Sequence, residues 1–288
     1  MLKSQWMFGA LGAFATASAL AAQPPAPMET RSAIPVAGPM LSASAASFSD
    51  MELDEVDDFD GWTGSLGFAL PVFEHSQLRL DAPLYTDGDG RATAEPGEES
   101  YGPVAPGDYP DLDIEGDGGV WDYTTLEFQS QIWDETSHSY VLGWYAGFGQ
   151  VRESLDAKHD GRLYDVVNHK GDVYLAGMLA EGDGGWGRWY MNAGARFYRK
   201  SDDLNPAGDD DFDVADLRLA NRFAPLAENL YPVLEVTYLG DFADVNQASL
   251  LPELLYAPND TVNLKAGLTV GAGDGNQFGG QAEIDFFF

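Results

Sequence analysis

Apolar and polar residues alternate with a period of two along most of the chain after Gly61, and helical periodicity is weak throughout. In residues 261–271, Val262, Leu264, Ala266, Leu268 and Val270 fall on one face, against Thr261, Asn263, Lys265, Gly267 and Thr269 on the other. The last segment sets Phe278, Ala282, Ile284, Phe286 and Phe288 against Gln281, Glu283 and Asp285. The same reading predicts strands over 65–73, 77–85, 120–133, 140–152, 172–179, 186–200, 212–223 and 230–239. Many of these run well beyond the ~5–6 residues usual in soluble strands, and reach the ~9–11 that cross a bilayer at a tilt. Aromatic residues gather near strand ends (Trp121, Trp133, Tyr140, Trp186, Trp189, Tyr231, Tyr238, Phe286, Phe288), as in the girdles of outer-membrane barrels.

The connections alternate in length. Short ones fall near 134–139, 180–185, 224–229 and 257–260; longer, acidic ones fall near 49–60, 86–119, 153–171, 200–211 and 240–248. Short periplasmic turns and long outer loops are the asymmetry of an outer-membrane barrel. Both termini should then be periplasmic, which requires an even number of strands. Two weaker segments, 250–257 and 40–48, complete the up-and-down order. The expected fold is an all-β, transmembrane, antiparallel up-and-down β-barrel of twelve strands, or ten if both weak segments are omitted. A closed barrel leaves no unpaired edge to meet lipid.

The N-terminus adds an address. Lys3, an apolar stretch from Trp6 to Leu20 and the Ala19-Leu20-Ala21-Ala22 site make a secretory signal peptide over 1–22. Residues 23–60 read as an N-terminal segment with a candidate first strand and an acidic loop, and 61–288 as the barrel. Beyond the leader, no apolar run is long enough for a transmembrane helix. The expected location is the cell outer membrane.

Composition narrows the chemistry. There is no cysteine, which excludes disulfide frameworks, thiolate metal sites and cysteine nucleophiles. Lys and Arg number 15 against 47 Asp and Glu, a formal charge of -32 that repels nucleic acid. The acidic excess sits mainly in the expected outer loops. Asp111, Asp113, Glu115 and Asp117, with Asp122 in the final position, partly match a calcium loop, but Gly118 and the missing flanking helices do not fit one. Solvated acidic loops are the plainer reading, and no metal or cofactor is expected.

With the apolar face toward lipid, the opposite face lines the lumen. That face holds Arg79, Asp81, Glu127, Gln129, Gln131, Arg188, Asn192, Arg196, Asp216, Arg218, Arg222, Glu235, Asn263, Lys265, Glu283 and Asp285. Buried charges need partners, so these residues either form an ion-pair network filling a narrow barrel or line a solute path. An outer-membrane hydrolase would need a histidine base beside its nucleophile. Of His75, His138, His159 and His169, the first two adjoin serines, but strand neighbours point to opposite faces. No catalytic residue is assigned.

The stretch from Leu230 to Phe288 carries a resemblance. Its "P-x-L-E" strand, a strand closing in "YAPND", the strand "VNLKAGLTV" and the final aromatic strand resemble the meta-pathway phenol-degradation outer-membrane proteins. That resemblance covers the C-terminal third and implies a transporter-like barrel associated with aromatic compounds. The C-terminal Phe288 also resembles the signal by which such barrels are recognised for assembly.

The expected function is a passive channel or uptake protein for small solutes, hydrophobic or aromatic ones included. A closed structural or adhesive surface barrel is the alternative, and an outer-membrane hydrolase the third reading. The expected partners are outer-membrane lipid, the barrel-assembly machinery through the C-terminal strand, and small solutes.

Overall fold

The computed structural model describes residues 25–53, 56–92, 111–116, 124–136, 138–159, 162–200, 212–242, 246–273 and 278–288. The leader and the calcium-loop residues Asp117 and Asp122 lie outside them. The described strands are β1 (Met40–Leu53), β2 (Val56–Phe73), β3 (Ser76–Ala92), β4 (Asp111–Gly116), β5 (Thr124–Trp133), β6 (Val141–His159) and β7 (Arg162–Gly184). They continue as β8 (Gly187–Lys200), β9 (Phe212–Phe223), β10 (Leu230–Gly240), β11 (Asn246–Asn259), β12 (Val262–Gly273) and β13 (Phe278–Phe287).

Each strand pairs antiparallel with its neighbours, β2 pairs with β3, and β13 returns to β1, so the sheet closes on itself. Both β4 and β5 lie between β3 and β6, with β4 continuing the line of β5 at the outer end. The described strands therefore fill a closed barrel of twelve positions, one of them in two pieces. At the seam, Met40 faces Phe287 and the Phe288 amide donates to the Pro39 carbonyl at 2.9 Å. The terminal aromatic strand thus completes the wall.

The alternation assigns the faces. Leu219, Leu254, Leu268, Val270, Phe148 and Tyr174 stand exposed on the outside, whereas Glu127, Glu235, Asn263 and Asp285 are buried inside. An apolar exterior around a polar interior inverts a soluble protein and fits a wall facing lipid. At the periplasmic end Trp133 packs against His138 and Tyr140. At the outer end Trp62 meets Tyr85, and Tyr238 stacks on Phe242. Tyr231 departs from the girdle assignment. It packs inward against Tyr190, Ala220, Val233 and Leu255, under the Arg222 guanidinium.

Several expected loops are strand instead. β6 and β7 stay paired up to His159 opposite Arg162, replacing most of the expected 153–171 connection. β1 and β2 extend across most of 49–60, and β3 and β4 take up parts of 86–119. The strand expected before Gly61 is present as β1, from Met40. Above the bilayer a strand needs no apolar face, so the alternation that marks strands within the membrane disappears there. The described part of the calcium candidate is strand as well. Asp111, Asp113 and Glu115 alternate along extended β4, paired with Arg91, Asp89 and Asp87. At ~3.3 Å per residue, their positions spread along the strand rather than wrap one ion.

Candidate functional site

The pleat turns nearly every residue of the expected lumen face into the barrel. Gln129, Arg188, Asn192, Asp216 and Lys265 are buried together with the inward groups already named, and Arg79, Asp81, Arg196, Arg218, Arg222, Glu283 and Gln131 are half-buried. Gln131 lies near the periplasmic mouth, where its side-chain amide donates to the Trp133 carbonyl at 3.2 Å.

What lies between these walls is the chain itself. Residues 25–39 enter the lumen ahead of β1 and cross it, with Thr30, Ala33 and Val36 buried. Pro25, Pro27, Pro35 and Pro39 bring no amide donors and favour an extended backbone without internal hydrogen bonds. The remaining amides must find partners on the wall. Glu235 of β10 accepts three in succession, from Met28 (2.9 Å), Glu29 (3.0 Å) and Thr30 (2.7 Å). Asn192 of β8 clasps Arg31 in both directions, accepting from its amide at 2.7 Å and donating to its carbonyl at 2.9 Å. Glu181 of β7 accepts from the Ser32 hydroxyl (2.6 Å) and the Ala33 amide (2.9 Å). The Gln129 side chain of β5 donates to the Ser32 carbonyl, and Gln77 of β3 accepts from the Val36 amide.

Charges complete the clasp. The Arg31 guanidinium forms a two-pronged pair with Glu127 of β5 and lies over the Tyr145 ring at 4.7 Å. Arg218 of β9 donates to both the carbonyl and the carboxylate of Glu29, at 2.6 and 2.9 Å. Arg222 and Tyr190 donate to the Pro25 carbonyl, and Lys265 to that of Pro27. Two glycines make room for Tyr145: a Cβ on Gly194 or Gly177 would lie 2.2 or 2.7 Å from its phenol oxygen.

The segment divides the lumen. On its outer side lies a cavity of about 360 Å³ lined by Ser44, Thr63, Ser65, Asp81, Arg196 and Ser249 among others. On its periplasmic side is a smaller space of about 60 Å³, bordered by Gln77, Asn263, Asp285 and Phe287. Met28, Arg31, Arg79 and Glu283 border both, so the partition there is one layer of side chains thick. Wall charges around the upper cavity are paired. Arg79 meets Asp81 at 2.6 Å, Asp216 lies between Arg196 and Arg218 at 2.8 Å from each, and Lys265 meets Glu283 at 2.6 Å.

His75 and Ser76 do not form a nucleophile pair, and Ser137 lies outside the described residues. The Ser76 hydroxyl donates to Ser130 at 3.0 Å, while the exposed His75 ring stands 4.0 Å from Glu74. His138 is stacked flat on Trp133. Among the described residues, no group of three or more His, Asp or Glu is arranged to hold a metal.

Sequence reasoning found the wall but missed its occupant. Glu29 and Arg31 precede the first strand and carry no periodicity, and proline density was the only signal available. Glu181, Glu253 and Gln77 also went unassigned, although Gln77 shares the alternation of Arg79 and Asp81.

The sequence matches no protein-family model and no curated protein. Among solved structures, the chain is similar to an outer-membrane channel from Pseudomonas putida F1. The TM-score is 0.54 at 12% identity, over 87% of this chain and 96% of that one. It is also similar to the translocator domain of the autotransporter NalP from Neisseria meningitidis, with a TM-score of 0.52 at 12% identity, over 87% of this chain and 88% of that one. The fold is that of a bacterial outer-membrane β-barrel. Its place is the outer membrane, with the apolar belt against lipid and the polar clasp inside.

Proposed function

We propose that this barrel is a gated passive channel for small solutes, with residues 25–39 as the gate. One observation carries the reading: the lumen is closed by a separate stretch of backbone held through side-chain contacts, not by collapse of the wall. Removing that stretch would join the two cavities into one path without breaking a strand pair. The channel from Pseudomonas putida F1 shares the fold and supports a pore-like use of it.

The axial route favours polar cargo. Its outer cavity is lined by hydroxyl groups and ion pairs, and a purely apolar solute there would strip water from Arg79, Asp81 and Asp216 without replacing their hydrogen bonds. The aromatic cargo implied by the phenol-pathway resemblance gains no support from this lining. We read the chain as non-enzymatic: the Ser76 hydroxyl is bonded to Ser130 rather than to His75, and the His138 ring is stacked on Trp133.

The closed structural barrel is the second reading, favoured by the density of the clasp. Single-channel recording in planar bilayers separates the two. Refolded mature chain should conduct rarely or in brief bursts, and a variant lacking residues 25–36 should give steady, salt-dependent steps. A folded, heat-modifiable deletion variant that stays silent would refute the gate and favour the structural barrel.

A further inference from the structure

The interior charges are matched almost throughout, and the exception lies on one wall. Glu181 meets Arg188, Glu127 meets Arg31, Asp81 meets Arg79, and Asp216 meets Arg196 and Arg218. Glu235 lacks a cation but has its three amides. Glu253 of β11 has no cation of its own, and the Met28 amide nearest it is already given to Glu235. Glu253 is 4% exposed, and neither carboxyl oxygen has a hydrogen-bond partner among the described residues.

The nearby cation is already committed. Lys265 reaches Glu283 at 2.6 Å, Asp285 at 3.0 Å and the Pro27 carbonyl at 3.3 Å, which accounts for all three of its protons. Around Glu253 the wall is apolar. Leu251 and Leu255 flank it on β11, and Val233 faces it from β10. Met28 closes over Gly267 on the β12 side, where an added Cβ would lie 3.0 Å from the Met28 methyl and 3.1 Å from the Glu253 Cβ. The ionisable groups facing this place are Glu235 from β10, Lys265 from β12, Glu283 from β13 and Glu29 from the inner segment.

A proton alone would not satisfy the site. A neutral carboxyl still presents an O–H donor and a carbonyl acceptor, and leaving either buried and unpaired is costly. Glu235 faces Leu251 across the β10–β11 ladder, so Glu253 lies diagonally from it, two residues along. Side chains in that relation are ~7–8 Å apart at their roots, within reach for two glutamates to converge on one ion. Two buried carboxylates side by side under Met28 suit a single positive charge, and with Glu283 and Glu29 already held by Lys265 and Arg218 no third carboxylate is free to raise it.

We infer that Glu253 and Glu235 form a binding site for a monovalent cation on the β10–β11 wall behind Met28. The charge comes either from an alkali ion or from the ammonium group of a small solute. The site exists with the inner segment seated, so it does not depend on gating.

The test uses the refolded mature chain in detergent, with rubidium or methylammonium chloride exchanged for N-methylglucamine chloride at constant ionic strength. A ligand that binds only the folded state raises the unfolding midpoint with the logarithm of its concentration once past its dissociation constant. The wild-type midpoint should rise with the logarithm of rubidium concentration, and Glu253→Gln should lose the rise. Crystals grown with rubidium should show an anomalous peak between the two carboxylates. Competition by methylammonium would assign the site to ammonium groups; rubidium binding without it would assign an alkali ion. A midpoint indifferent to both cations, or an equal shift in Glu253→Gln, would overturn the inference. Glu253→Gln keeps the shape and removes a buried charge, so it should fold; if it does not, the rubidium peak in wild-type crystals decides.

Discussion

Replacing Glu235 by alanine tests the clasp at its densest point. The carboxylate receives three consecutive amides at 2.7 to 3.0 Å. Hydrogen bonds to a charged group contribute ~1.5–3 kcal/mol each, and a buried amide left without an acceptor costs about as much. The full sum does not apply, because removing the carboxylate also removes the cost of burying it. A net loss of ~3–5 kcal/mol from the closed state is the reasonable figure. At ~1.4 kcal/mol per factor of ten, the ratio of open to closed channels should rise between about a hundredfold and a few thousandfold. Open probability in planar bilayers measures this directly, with heat-modifiable migration confirming an intact barrel. An intact Glu235→Ala barrel whose open probability equals that of wild type would refute the argument, since the inner segment would then be held elsewhere or would not be the gate.

Three further outcomes follow from the same contacts. Arg31→Ala strands Glu127, which is 2% exposed, and breaking a buried pair in this way costs ~3–5 kcal/mol. It should open the channel and lower the urea midpoint, and Arg31→Ala with Glu127→Ala should recover much of the midpoint; no recovery would show that the pair is not coupled. Gly194→Ala would push a methyl to 2.2 Å from the Tyr145 oxygen and 2.7 Å from the Ala176 carbonyl, with an overpacking cost of ~1–3 kcal/mol. Tyr145→Phe should relieve part of that loss in urea unfolding, and an unaffected Gly194→Ala protein would contradict the packing. Leu268→Arg places a charge on the lipid face near mid-strand and should cost ~2–4 kcal/mol in bilayer-embedded unfolding. Arginine at Thr269, which lines the cavity, should cost less; equal penalties would show that the two faces are misassigned.

The sequence by itself determined the wall. A strand's pleat is local, so alternation sends Arg79 and Asp81 one way and Leu78 and Leu80 the other without reference to any partner. The same rule turned Glu127, Asn192, Asp216, Lys265 and Asp285 inward before any pairing was known. The parity of strands, and the need for a first strand before Gly61, also follow from the chain alone.

Tertiary structure decided the rest, because it rests on contacts between residues far apart in sequence. The outer parts of β6 and β7 carry apolar residues such as Leu155, Leu163 and Val167 scattered among charged ones, so it is their mutual register that reveals them as strand. Arg31 lies 96 residues from Glu127, and the Thr30 amide lies 205 from Glu235. The inner segment is held mostly through backbone amides and carbonyls, which are alike in every residue save for proline's missing amide, so no side-chain pattern could have announced it. The unmatched carboxyl of Glu253 is equally a tertiary fact. An acidic residue in a strand looks like any other until its neighbours' protons have been counted.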